Sequence, residues 1–199
     1  MSMVKVCITY RLKFATPVHV GSGTGGRGFL DKYAYRQGDD PVIPGSTIKG
    51  RLRAAVAALA QAGVYGPAEV CRDNEDCSCL VCLIFGRAGW ARGSLYFEDA
   101  RSVSDDIGCW VGVRAGISMD RYRRVARDGA LYTVETVGGE DIVFEGRITG
   151  FVPEEKRAAV IAALKDAFAF NYALGFGKSR GLGWFQAEVI EEAKECGTP

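Results

Sequence analysis

Val4-Lys5-Val6-Cys7-Ile8-Thr9-Tyr10-Arg11-Leu12-Lys13-Phe14 alternates apolar and polar residues over its whole length. A period of two marks a strand with one buried face and one wet face. The wet face carries Lys5, Arg11 and Lys13, so it is partly basic. A sheet starts here, and the remaining segments are read as what is built against it.

Residues 21–28 are rich in Gly and Asp39-Asp40-Pro41 is a turn signal, so loops are expected between this strand and Pro44. Ser46 is placed to cap a helix in which Ile48, Leu52, Ala55, Val56 and Leu59 fall at helical spacing, with Gly63 beyond its end. A second, longer helix is expected from Pro153, with Glu154 and Glu155 at its positive end. It runs through Val160, Leu164 and Phe168 and stops before Gly175. Residues 93–100, 110–117, 141–151 and 182–190 read as strands. This order predicts an α+β protein with a ferredoxin-like core, similar to an RNA-recognition motif, and helices on one face of the sheet. Residues 64–92 and 119–134 read as insertions into one domain spanning 1–199.

A chain of 199 residues that is 48% hydrophobic can core one domain well and two poorly. Its apolar content excludes disorder, and no apolar run has membrane-spanning length. The N-terminus lacks the basic segment and apolar run of a signal peptide, so a cytoplasmic protein with no membrane partner is expected. The net charge of +1 conceals blocks. Residues 1–60 carry +6, 61–110 carry −4, 111–133 carry +3 and 134–199 carry −4. Two basic blocks on a neutral chain are either a polyanion-binding face or ordinary surface charge.

Cys71, Cys77, Cys79 and Cys82 place four thiols within twelve residues. Four soft ligands in one tight turn suit a closed, tetrahedral, structural Zn²⁺ site with no position left for catalysis; free or redox thiols are the alternative. Cys7, Cys109 and Cys196 show no such grouping and read as ordinary residues.

Gly21-Ser22-Gly23-Thr24-Gly25-Gly26 matches a dinucleotide fingerprint in form but opens no helix, and Gly177-Lys178-Ser179 lacks the upstream Gly and strand of a phosphate loop. Both readings are rejected. The Gly175–Gly183 turn still holds Lys178 and Arg180 among glycines that permit close backbone approach, so it is either an anion-binding loop or a charged connector. Pro44-Gly45-Ser46 sets a helix N-terminus beside Lys49, Arg51 and Arg53, where unpaired N–H groups favour an anion such as RNA phosphate. Arg114, Arg121, Arg123, Arg124 and Arg127 make the second basic block, a binding hairpin or a solvated arm. His19 is the chain's one histidine, which excludes a two-His ribonuclease site within the chain.

Together the runs Pro17-Val18-His19-Val20-Gly21-Ser22-Gly23 and Val42-Ile43-Pro44-Gly45-Ser46-Thr47-Ile48-Lys49-Gly50-Arg51-Leu52-Arg53 resemble the RAMP (repeat-associated mysterious protein) superfamily of CRISPR systems. Asp31 between them, Phe85-Gly86, the segment from Arg114 to Arg121, the segment from Asp128 to Glu135 and the Gly175–Gly183 loop follow in the expected order. The likeness is greatest to backbone subunits of type III effector complexes. It implies a ferredoxin-like core that polymerises along a CRISPR guide RNA, with other effector subunits and copies of itself as partners. It also implies a thumb-like hairpin, carrying Arg121, Arg123 and Arg124, that kinks the duplex with complementary target RNA. Arg114, Lys178, Arg180, His19, Ser46, Lys49, Arg51 and Arg53 would contact RNA, and some such subunits carry a zinc loop.

By the same resemblance Asp31 is the expected catalytic residue of target-RNA cleavage with Mg²⁺ or another divalent ion. The reaction would leave 2′,3′-cyclic phosphate ends. Its neighbours Gly28-Phe29-Leu30 and Lys32-Tyr33 depart from the pattern of active subunits, so a silent scaffold or capping subunit is the alternative. A repeat-processing endonuclease of the same superfamily is disfavoured, because only three residues separate Gly175-Phe176-Gly177 from Gly181-Leu182-Gly183.

Overall fold

The computed structural model describes residues 2–25, 29–72, 77–87, 89, 91–103, 110–139 and 142–191. Strand β1 (Met3–Phe14) is the centre of the main sheet. It pairs antiparallel with β12 (Val143–Pro153) from Met3↔Pro153 to Lys13↔Val143, and with β13 (Phe185–Glu191) on its other edge. Beyond β12 lie β8 (Leu95–Phe97), β9 (Ala100–Ser102), β5 (Asp40–Ile43) and β4 (Arg36–Gln37). The order β13-β1-β12-β8, with α1 (Gly45–Gln61) after β1 and α3 (Arg157–Phe170) after β12, is that of a ferredoxin-like core. The protein is α+β, as its element order predicts.

The alternation in β1 sets which face is dry. Val6, Ile8, Tyr10, Leu12 and Phe14 are buried with Ile48, Leu52 and Val56 of α1 and Val160, Leu164 and Phe168 of α3. Tyr10 and Phe168 pack at a centroid distance of 4.9 Å. On the opposite face Arg11 pairs with Glu145 across the strands at 2.7 Å. A one-residue slip of β1 would place its charges in this core, so the register is strongly specified.

Several local expectations are corrected. Ser46 does not cap α1: the helix starts at Gly45, Pro44 precedes it, and the Asp99 carboxylate accepts the Gly45 N–H at 2.8 Å. A Cβ on Gly45 would lie 2.0 Å from the Phe97 carbonyl oxygen, so close packing sets the start of the helix. The longer helix begins at Arg157, after a single 3₁₀ turn over Glu154–Lys156, and at 14 residues it is shorter than α1 at 17. Residues 21–43 are not plain loop but hold β2 (Gly21–Gly25), β3 (Lys32–Ala34), β4 and β5, with the turn at Gly38-Asp39 and Asp40 and Pro41 already in a strand. Residues 93–100 split into β8 and β9 around Glu98-Asp99. Cys7, buried in β1, is disulfide-bonded and not an ordinary thiol; Cys109 and Cys196 lie outside the described residues.

Both expected insertions contain regular elements among the described residues. The cysteine segment contains α2 (Leu80–Phe85) and the short hairpin β6 (Gly86–Arg87)–β7 (Ala91–Arg92). Leu80, Val81, Ile84 and Phe85 enter the same core as β1, so this segment is built into the domain. The arginine segment is the tip of a longer hairpin, β10 (Trp110–Asp120) and β11 (Val125–Gly138), in a second sheet ordered β10-β11-β3-β2. Among the described residues no helix is long and apolar enough to cross a membrane.

Candidate nucleic-acid interface

The root of the β10–β11 hairpin is fixed to the segment after β1. Val18 and Val137 exchange backbone hydrogen bonds at 2.7 and 2.8 Å. Glu135, buried at the same level, accepts the Ala34 N–H at 2.8 Å and pairs with Arg36 at 2.6 Å. These contacts hold β3 and the hairpin in one orientation.

His19 is 2% exposed, and its Nδ1 lies 2.6 Å from the Glu135 carbonyl oxygen. A carbonyl only accepts, so Nδ1 carries the proton and Nε2 keeps its lone pair, on the side of Gly21. Burial, reinforced by Lys32, lowers the His19 pKa and favours the neutral ring. Asp31 sits on the loop before β3. Its Oδ2 accepts the Thr133 N–H at 2.6 Å, while the Thr133 hydroxyl, 3.1 Å from that oxygen, also reaches the Phe29 carbonyl at 2.6 Å. Asp31, His19, Gly21, Lys32 and Phe176 line one open cleft of about 420 Å³.

The Gly175–Gly183 loop closes this region. Gly175 takes a left-handed φ of +83°, and a Cβ there would lie 2.2 Å from the His19 carbonyl. That carbonyl accepts the Phe176 N–H at 2.9 Å, which seats the ring beside His19. Lys32 Nζ then stands 4.0 Å from the centre of the Phe176 ring and the Arg180 guanidinium 4.9 Å. Arg180 also donates to the Tyr132 hydroxyl at 2.6 Å. Two cations and two aromatic rings thus converge at the hairpin root. Lys32, Tyr132 and Phe176 were not among the sequence-based candidates, because only the packing of the glycine loop against the hairpin brings them to Arg180.

Gly183 holds the far end of this loop at φ +70°, and a Cβ there would sit 1.9 Å from the Leu174 carbonyl oxygen. Gly183→Ala is expected to destabilise the fold by at least about 1–2 kcal/mol from the left-handed backbone alone. Thermal unfolding checks this, and an unchanged melting midpoint would contradict it.

The tip of the hairpin carries Arg121, Arg123 and Arg124, all exposed. The Asp120 carboxylate accepts the N–H groups of Tyr122 and Arg123 at 2.9 Å each, and Arg124 adopts a left-handed φ of +56°. Tyr122 is 97% exposed at this turn. Arg114 is exposed on β10.

The cations of α1 divide between two sides of the helix. Lys49 and Arg53 lie one turn apart beside a groove of about 660 Å³ shared with Ser46, Arg87, Arg92 and Tyr96. Arg53 donates to the Gly86 carbonyl at 2.7 Å, and Lys49 stands 5.9 Å from the centre of the Phe97 ring. Arg51 points to Asn171 Oδ1 at 2.8 Å, close to Lys178. The three cations therefore do not form one cluster.

Cys71, Cys77, Cys79 and Cys82 bring their four Sγ atoms within 4.8 Å of one another, with Cys71 and Cys82 at 3.5 Å. Zn–S bonds of about 2.3 Å in a tetrahedron place sulfurs about 3.8 Å apart, so the group can hold a metal ion with little movement. Backbone hydrogen bonds pull the Cys77 thiol down to about 6, while burial pushes Cys79 up to about 11. The Glu69 carboxylate accepts the Leu80 N–H at 2.6 Å and pairs with Lys156 at 3.0 Å, which ties the site to the start of α3. Among the described residues no other group of three or more His, Cys, Asp or Glu ligand atoms forms, so Asp31 belongs to no such group.

The family model of the RAMP superfamily matches residues 11–186, a span that contains His19, Asp31, α1, the cysteine site, the hairpin and the glycine loop. A search of the curated proteins finds no match.

Proposed function

The chain belongs to the RAMP superfamily, which makes it a CRISPR-associated protein of RNA-binding type, and from that premise we propose that it is a guide-RNA-binding backbone subunit of a type III effector complex. In this reading copies of the chain line the guide RNA, the hairpin tip with Arg121, Arg123 and Arg124 meets the guide–target duplex, and the cysteine site holds structural Zn²⁺. The observation that supports it most is the hairpin root, where Lys32, Arg180, Tyr132 and Phe176 meet beside the His19–Asp31 cleft. Clustered cations attract phosphate, and a guanidinium beside aromatic rings can stack on a base, a combination suited to single-stranded RNA.

Asp31 is proposed as the residue of target-RNA cleavage. Its Oδ2 is taken by Thr133, and the residue lines the cleft. A divalent ion would supply charge stabilisation there, with water and RNA phosphate completing its shell. The chain's own part would be to position the ribose 2′-OH for in-line attack on its phosphorus, which forms the 2′,3′-cyclic phosphate as the 5′-oxygen leaves. The Thr133 contacts also favour a second reading, in which Asp31 fixes β3 to β11 and the chain is a non-cleaving scaffold or capping subunit.

Lys49→Ala with Arg53→Ala is expected to weaken RNA binding irrespective of sequence and to flatten the plot of log affinity against log salt by about two units. Titration of a labelled oligoribonucleotide at several salt concentrations reads this slope. A slope equal to that of the wild type would remove both residues from the interface.

A further inference from the structure

Where α3 ends, the backbone runs extended from Asn171 and forms a short ladder with the segment that enters β13. Ala173 and Trp184 are bridged, the Leu174 N–H donates to the Gly183 carbonyl at 2.9 Å, and the Phe185 N–H donates to the Tyr172 carbonyl at 2.9 Å. Asn171, Ala173, Leu174 and Phe185 are buried by this arrangement, whereas Tyr172 is 69% and Trp184 49% exposed. The two rings meet edge to face at 6.5 Å. Trp184 is held firmly: its indole N–H donates to the Lys178 carbonyl at 3.1 Å, and its backbone N–H donates to the Thr16 hydroxyl at 2.9 Å. An exposed ring that is already fixed loses little conformational entropy on stacking with a ligand.

Two cations adjoin this ledge. Arg51 reaches the same segment through Asn171 Oδ1 and, at 3.4 Å, the Ala173 carbonyl, and its buried Nε has no hydrogen-bond partner. Lys178, whose carbonyl holds the indole, lies close enough to Arg51 that burial and this like charge together lower its pKa. Among the described residues neither cation is paired with a carboxylate. Adjacent like charges are unfavourable until an anion sits between them, and an anion next to fixed aromatic faces describes a nucleotide.

We propose that Tyr172, Trp184, Arg51 and Lys178 form a nucleotide subsite, in which a base of single-stranded RNA stacks on the Tyr172–Trp184 ledge and the adjoining phosphate sits against Lys178 and Arg51. The proposal rests on the RNA-binding reading above and adds to it a base-contacting subsite away from the hairpin. Stacking on ring faces accepts any base, which suits a guide whose sequence varies.

The test uses the full chain with two probes of equal length, an unstructured oligoribonucleotide and an abasic ribose-phosphate oligomer. Tyr172→Ala and Trp184→Ala are each expected to weaken the oligoribonucleotide about tenfold and to leave the abasic oligomer unchanged. Lys178→Ala should weaken both probes alike, and Trp184→Phe, which keeps a ring in place, should retain most of the affinity. Unchanged binding by Tyr172→Ala with the wild type binding well would overturn the subsite alone. Equal losses on the two probes would overturn the stacking role, as would altered self-association at unchanged RNA affinity, which would make the ledge a contact between copies. Wild-type protein that binds neither probe would instead overturn the RNA-binding reading itself.

Discussion

Stripping the metal from the four-cysteine site is expected to lower the stability of the whole domain by several kcal/mol. Structural Zn²⁺ contributes apparent binding free energies of about 10–16 kcal/mol in small zinc peptides, and that energy is folding energy because the unfolded chain has no preformed site. Apart from its core side chains and the Glu69 contacts, the local segment has little to hold it. Helix α2 has six residues, far below the length at which a helix persists alone. Its side chains Leu80, Val81, Ile84 and Phe85 are nevertheless part of the common core. Without the metal, Cys79 and Cys82 remain buried thiols and the tie from Cys71 and Cys77 to them is lost, so core surface under α2 opens with it. Metal analysis should find about one Zn per chain. A strong chelator, or Cys79→Ser, should lower the melting midpoint by about 10 °C, taking 2–4 °C per kcal/mol for a domain of this size. Absence of stoichiometric metal, or a midpoint indifferent to chelation, would remove zinc from the account.

Asp31→Ala is expected to reduce target-RNA cleavage by the reconstituted complex at least about 100-fold while target binding is retained. Asp31→Asn separates chemistry from architecture. An amide oxygen can still accept the Thr133 N–H that Asp31 Oδ2 accepts at 2.6 Å, so Asn preserves the link between β3 and β11 but removes the negative charge. A catalytic Asp31 requires both variants to lose cleavage. A structural Asp31 requires Asn to behave as wild type, and cleavage that survives both substitutions would leave the scaffold reading. A denaturing gel of labelled target RNA with guide and Mg²⁺ reads all three results.

What the sequence disclosed follows from how local each signal is. The alternation of Val4 to Phe14 records the burial of one face of one strand, so β1 and its core-facing side chains were legible. The apolar spacing of α1 and the grouping of four cysteines in twelve residues are similarly local. The cap was misread because Asp99, over fifty residues away, supplies the acceptor that Ser46 was expected to provide. Strands β2 to β5 have two to five residues each, too few to show a period, and they exist because β3 pairs with β11 and β5 with β9. The extension of β10 beyond residue 117 was not legible because none of its residues is buried, which erases the alternation that reveals a half-buried strand. At the hairpin root, Arg180 stands in the glycine-dense turn that the sequence singles out, whereas its partners Lys32, Tyr132 and Phe176 carried no signal. Their meeting depends on the left-handed turn at Gly175 and the hydrogen bond from Phe176 to the His19 carbonyl, contacts across more than 150 residues.

The central claim is that this chain lines a guide RNA as a repeating backbone subunit. Native mass spectrometry of the chain mixed with guide RNAs of increasing length tests it most directly. The account predicts that the number of copies bound rises in steps, one copy for each constant increment of RNA. A single copy on every length of RNA, or no stable complex with any of them, would contradict it.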